Sequence, residues 1–169
     1  MVNLTEQLAQ FAVVGPNARK TLEKLGGMNV SKEMLEFMEW KNGRLGGFDA
    51  RVYRISFSGE LSYEAAVPAG QGEALWNTLL ESGAEFGVMP YGTEALHIMR
   101  AEKGFIMIGD ETDGTVIPQD LGLHWAISKK KEDFLGKRAQ ERTHMVASDR
   151  WCLVGLEATD GSVLPAGGY

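Results

Sequence analysis

The sequence predicts an α+β fold built on antiparallel sheet. Stretches that alternate with period two interleave irregularly with stretches of helical period. Two alternating stretches, 49–57 and 61–67, flank the turn signal Ser58-Gly59-Glu60 and read as a hairpin rather than parallel βαβ strands. No internal repeat or low-complexity tract interrupts the pattern.

The elements follow in chain order. Phe11-Ala12-Val13-Val14 reads as a short strand closed by Gly15-Pro16, and Pro16 suits a first helical turn because its missing N–H has no partner to lose there. A helix over 17–25 places Ala18, Leu22 and Leu25 on one face and stops at Gly26-Gly27. Ser31 is placed to cap a second helix, with Met34, Leu35 and Met38 inward. In the hairpin, Leu61 and Tyr63 face one side and Ser62 and Glu64 the other. Helices are expected over 71–81 and from 92 or 93 to about 103, then a loop over 105–119. A strand at 125–128, a helix over 134–143 and a strand at 152–158 complete the reading.

Composition is that of an ordinary globular chain: 169 residues, 44% hydrophobic and 24% charged. The net charge of −6 argues against a nucleic-acid partner, which needs a basic face. No apolar run is long enough to span a bilayer, and the first residues have neither the basic nor the apolar region of a signal peptide. No membrane association and a cytoplasmic location are therefore expected. The single cysteine, Cys152, lies in an apolar stretch and is expected to be a buried structural thiol.

Most chemical signatures are missing. His97, His124 and His144 share no metal-ligand spacing, and Asp110, Glu111 and Asp113 lack the spacing of a calcium loop, so no metal is expected. Gly43, Gly46 and Gly47 follow no phosphate-binding pattern, and no nucleophile, base and acid stand at a triad's spacing. The stretch Ser58 to Glu64 stands out. It puts Glu60 and Glu64 on a hairpin rim near aromatic residues. Carboxylates so placed suit a flat heterocycle, because two oxygens accept two parallel N–H bonds. Taken alone, glutamates on a hairpin are more commonly just a solvated surface.

Six motifs in one order give a resemblance. Phe11 to Ala18 is similar to the strand–Gly-Pro–helix opening of the aminomethyltransferase (T-protein) superfamily. Gly59-Glu60-Leu61-Ser62-Tyr63-Glu64 resembles its Gly-Glu-x-Gly-aromatic-Glu motif, and Met99 to Gly104 its Leu-Arg-Leu-Glu-x-Gly helix end. Thr115 to Trp125 resembles its Thr-Pro-x-Glu-x-Gly-Leu-x-Trp segment, while Phe134-Leu135-Gly136-Lys137 and Leu153-Val154-Gly155-Leu156 complete the series. The wording of Arg100 to Phe105 and of Asp113-Gly114-Thr115 with Pro118-Gln119-Asp120 resembles, within that superfamily, the C-terminal region of alpha subunits of heterotetrameric sarcosine oxidases.

The resemblance implies a T-protein folate-binding fold truncated at both ends, with residues 1–147 in the folate-binding region and 148–169 opening a C-terminal barrel. It implies that tetrahydrofolate is bound here. The one-carbon unit of sarcosine would be captured as 5,10-methylenetetrahydrofolate, giving glycine and hydrogen peroxide in the full complex. FAD, FMN, NAD and the other subunits would lie elsewhere in that assembly. Glu64 would receive the pterin, with Tyr63, Arg100 and Glu60 as further cofactor-binding positions; the residues themselves favour core packing for Tyr63, turn support for Glu60 and an ion pair of Arg100 with Glu102. The family's catalytic aspartate lies upstream of the Gly-Pro opening, so no catalytic residue is expected in this chain and the piece is expected to be inactive alone. T-proteins carry a ligand-contacting Arg-Asp pair where this chain has Leu96 and His97. An aminomethyltransferase or dimethylglycine oxidase piece is an alternative, as is a subunit-contact domain that binds no folate.

Overall fold

In the computed structural model, residues 1–164 are described. They divide into two compact units, the first Met1–Phe105 and the second beginning at Ile106. This division lies earlier than the 147/148 boundary implied by the resemblance, which concerns family membership rather than compactness. Among the described residues, no helix is long and apolar enough to cross a membrane.

The first unit is a four-stranded sheet with β1 (Leu8–Val14), β2 (Trp40–Leu45), β3 (Phe48–Tyr53) and β4 (Ser62–Pro68). Every pairing is antiparallel, and the order across the sheet is β1-β4-β3-β2. Helices α1 (Ala18–Leu25) and α2 (Gly72–Gly83) pack on each other and on β1 and β4. Alternation along the strands supplies the core face: Val13, Val52, Tyr63, Ala65 and Val67 point at the helices and meet Leu22, Leu75 and Leu79. Helix α3 (Thr93–Glu102) closes the unit.

Glycines set two of the turns. Gly46 and Gly47, at φ 57° and 91°, form the two-residue loop between β2 and β3, a conformation that favours glycine and matches the strand twist. Gly27 at φ 89° ends the α1 connection where an added Cβ would lie 2.5 Å from the Arg44 carbonyl oxygen.

The structure departs from the sequence expectations in several places. The segment 32–39 forms turns instead of a helix. Only Leu35 is buried; Met34 and Met38 are exposed, and Met38 adopts φ 71°. The Glu39 carboxylate accepts the Glu36 N–H at 2.8 Å, a local bond that competes with a helical ladder. Strand β2 was not expected, because Trp40-Lys41-Asn42-Gly43-Arg44-Leu45 does not alternate cleanly. Strand β3 stops at Tyr53, so Ile55 and Phe57 fall in the connection to β4.

The second unit carries little regular structure. Short 3-10 turns occupy Pro118–Leu121 and His124–Ala126, where a strand was expected at 125–128. The expected helix over 134–143 shrinks to α4 (Lys137–Gln140), because Gly136 at φ 94° leaves the helical region just before it. Residues 152–158 form no strand; among the described residues none pairs with them in a ladder, and Trp151, Val154 and Leu156 are exposed. Cys152 is therefore exposed rather than buried. What organises this unit is Asp120. Its carboxylate takes two hydrogen bonds from Arg150, one of them Nε to Oδ1 at 2.9 Å, and a third from the Ile117 N–H. Arg150 also donates to the carbonyls of Thr115 and His144, and the Leu153 N–H donates to the Asp120 carbonyl.

Candidate site on the open face of the sheet

Both helices lie on one face of the sheet, so the side chains of the other face are left to other partners. Register arranges them in rows. Directly opposed residues of antiparallel strands share a face. Trp40 of β2 stands opposite Tyr53 of β3, Tyr53 opposite Glu64 of β4, and Glu64 opposite Ala12 of β1. The neighbouring row on the same face runs Asn42, Arg51, Ala66, Gln10. Two aromatic rings thus lead up to a carboxylate, with an arginine and an amide beside them.

Glu64 is half-buried. Burial raises its pKa above the ordinary glutamate range, and the hydrogen bond donated by Gln10 Nε2 to Oε2 opposes that rise. Tyr91, in the segment before α3, also feels this carboxylate: burial first and the Glu64 charge second raise its phenol pKa. Arg51 is fixed from two sides. Its Nε donates to Asn42 Oδ1 at 2.8 Å, and its guanidinium lies 4.8 Å from the centre of the Trp40 ring.

The other expected positions lie elsewhere. Tyr63 is fully buried on the helix face, where its hydroxyl accepts from Arg19 Nε at 2.8 Å and donates to the Val30 carbonyl at 3.2 Å. The Arg54 guanidinium lies over the same ring at 5.1 Å. Glu60 is exposed in the 54–61 connection, its N–H 3.4 Å from Ser58 Oγ. Arg100 is buried on α3 and donates to the Phe105 carbonyl at 3.2 Å, closing the helix end. Leu96 and His97 are partly buried on the same helix. Of the four expected positions only Glu64 stands on the open face. Tyr53, Trp40, Arg51 and Gln10 escaped the sequence reading; the signal that could have found them is the Gly46-Gly47 pair, which fixes the β2–β3 register but enters that reading only as a phosphate motif.

An antiparallel four-stranded sheet packed on helices, with the Gly-Glu motif running into β4, defines a domain of the T-protein kind. Residues 1–131 match the GCVT N-terminal domain, and the chain belongs to that family. It is similar to the sarcosine oxidase subunit alpha of Corynebacterium sp. (strain U-96), 48% identical over 98% of this chain and 17% of that protein. It is also similar to the sarcosine oxidase subunit alpha of Rhizobium meliloti (strain 1021), 43% identical over 95% of this chain and 16% of that protein. The chain therefore spans less than a fifth of the length of these relatives. Among solved structures, the glycine cleavage system aminomethyltransferase T from Bartonella henselae matches with a TM-score of 0.60 at 29% identity, over 72% of this chain and 31% of that one.

Proposed function

We propose that the open sheet face is the pterin receptor of a folate-handling module belonging to a sarcosine oxidase type of alpha subunit. Glu64 accepts the N–H donors of the pterin amino group and the adjacent ring nitrogen, and Tyr53 and Trp40 offer flat surfaces beside it. In the whole enzyme the bound tetrahydrofolate collects the one-carbon unit released when sarcosine is oxidised at a flavin elsewhere. The observation that carries this reading is the position of Glu64, a half-buried carboxylate directly opposite Tyr53 on the sheet face turned away from α1 and α2. The similarity to sarcosine oxidase alpha subunits supports the enzyme class, and the family match supports the module.

A half-buried carboxylate whose pKa burial raises is costly to keep ionised without a partner, and a pterin supplies paired donors. Tyr63, Glu60 and Arg100 have structural roles in this reading: core hydroxyl bridge, connection residue and helix closure.

Calorimetric titration of tetrahydrofolate into the chain tests it, with Glu64→Ala beside the wild type. Loss of two charge-assisted hydrogen bonds is expected to weaken binding by roughly 10- to 100-fold. Equal affinities for the two proteins would remove Glu64 from the receptor.

A further inference from the structure

We propose that Arg51 is a receptor for the carboxylate-bearing tail of the folate, on the same sheet face as the Glu64 pterin site. The inference rests on the pterin reading and adds to it a ligand group of opposite demand: an anion beside a site that takes hydrogen-bond donors.

The position follows from register. Arg51 is opposite Ala66, two residues beyond Glu64 on β4 and on the same face. Such diagonal neighbours lie about 7–8 Å apart. A ligand seated by its ring at Glu64 therefore meets Arg51 along its length rather than at the same atoms. Arg51 also lines a surface cavity of about 550 Å³ with Asn42, Asp49, Ala66, Pro68 and Leu8, so there is room beside the guanidinium.

The guanidinium is held as a receptor would be. Its Nε–H is committed to Asn42 and its guanidinium lies over the Trp40 ring, so the side chain is held at two points. A guanidinium fork of this kind matches a carboxylate in a bidentate way, and fixing it beforehand reduces the ordering cost of binding. The nearby acid does not take its place: Asp49 is paired with Arg44 at 3.0 Å across the neighbouring turn. No ion pair of Arg51 occurs among the described residues.

Three probes separate the tail from the ring: tetrahydrofolate, 6-methyltetrahydropterin, which has no tail, and p-aminobenzoyl-triglutamate, which has no pterin. Each is titrated into the chain and into Arg51→Met, with thermal unfolding of both proteins as the check on folding. The expected result is a roughly 5- to 10-fold loss for tetrahydrofolate and p-aminobenzoyl-triglutamate, the strength of a charge-assisted bond discounted for exposure. Binding of 6-methyltetrahydropterin is expected to stay unchanged, and raising the salt concentration should erase the difference between the two proteins. Arg51→Lys should recover part of the loss, because the charge remains while the fork is gone.

An equal loss for all three probes would make Arg51 a support of the sheet and overturn the proposal, as would no loss for any of them. Binding of 6-methyltetrahydropterin without p-aminobenzoyl-triglutamate would reject the tail site and leave the pterin site standing. The reverse would reject the pterin reading alone, and silence from both partial probes would reject both.

Discussion

Glu64 and Gln10 form a pair whose chemistry depends on which proton state the carboxylate holds. Burial raises the Glu64 pKa, and the Gln10 amide opposes that rise by bonding the charged form. A pterin that donates two N–H bonds needs the ionised carboxylate, so its affinity is expected to fall as pH drops through the raised Glu64 pKa. That loss begins at a higher pH than for an ordinary glutamate. Gln10→Leu removes the opposing bond and should move the loss to still higher pH, which a series of titrations at different pH values reads directly. An acid limb that stays in place would mean that Gln10 does not tune the carboxylate. At Tyr63 the opposite outcome is expected. Tyr63→Phe deletes the hydroxyl between Arg19 and Val30 and should cost about 1 kcal/mol in urea unfolding while leaving tetrahydrofolate affinity unchanged. A fall in affinity with unchanged stability would return Tyr63 to the binding site.

At the scale of elements, the sheet was legible where the sequence alternates and hidden where it does not. The apolar faces of α1 and α2 and the β4 strand followed from periodicity, because burial on one side leaves a period in the sequence. Strand β2 left no such mark: Asn42, Gly43 and Arg44 are all exposed, and only Leu45 is fully buried. The candidate site was hidden for the same reason. Glu64 could be found from its motif, but Trp40, Tyr53 and Arg51 become its neighbours only through register, which single-strand patterns do not encode. The helix expected at 32–39 and the strand expected at 152–158 did not form: in the first only Leu35 reaches the core while Met34, Phe37 and Met38 stay exposed, and in the second Leu153, Val154 and Leu156 are exposed. The turn at Gly27 offers a test of how firmly β2 is held. Gly27→Ala combines a left-handed φ with a Cβ 2.5 Å from the Arg44 carbonyl and should cost more than about 1–2 kcal/mol in chemical denaturation. An unchanged midpoint would show that this connection moves freely.

Acid acts with opposite sign on the two compact units of the molecule. In the second unit, hydrogen bonds from Arg150 and then from the Ile117 N–H hold the Asp120 pKa below the ordinary range. A depressed carboxylate stabilises the fold above its unfolded pKa, and that contribution is lost as pH falls through the folded value. In the first unit, Glu64 has a raised pKa, so its charged form opposes folding and the penalty is relieved as pH falls through that raised value. Hydrogen exchange compared at neutral pH and below the Asp120 range should therefore show protection falling around residues 115–153, while the sheet is retained. Parallel loss in both units would mean that the Asp120–Arg150 clasp does not govern the second.

The strand order carries one more consequence, and it concerns time. β2, β3 and β4 are near neighbours in sequence, whereas β1 must close on β4 across a long loop, with Gln10 and Glu64 54 residues apart. Long-range closures are slow because the loop entropy is lost before the contacts form. The Gln10–Glu64 pair beside the proposed pterin site thus forms only when β1 docks on β4. A molecule bound there acts as a latch on the finished sheet: it prolongs the lifetime of the folded state and leaves the rate of reaching it unaltered.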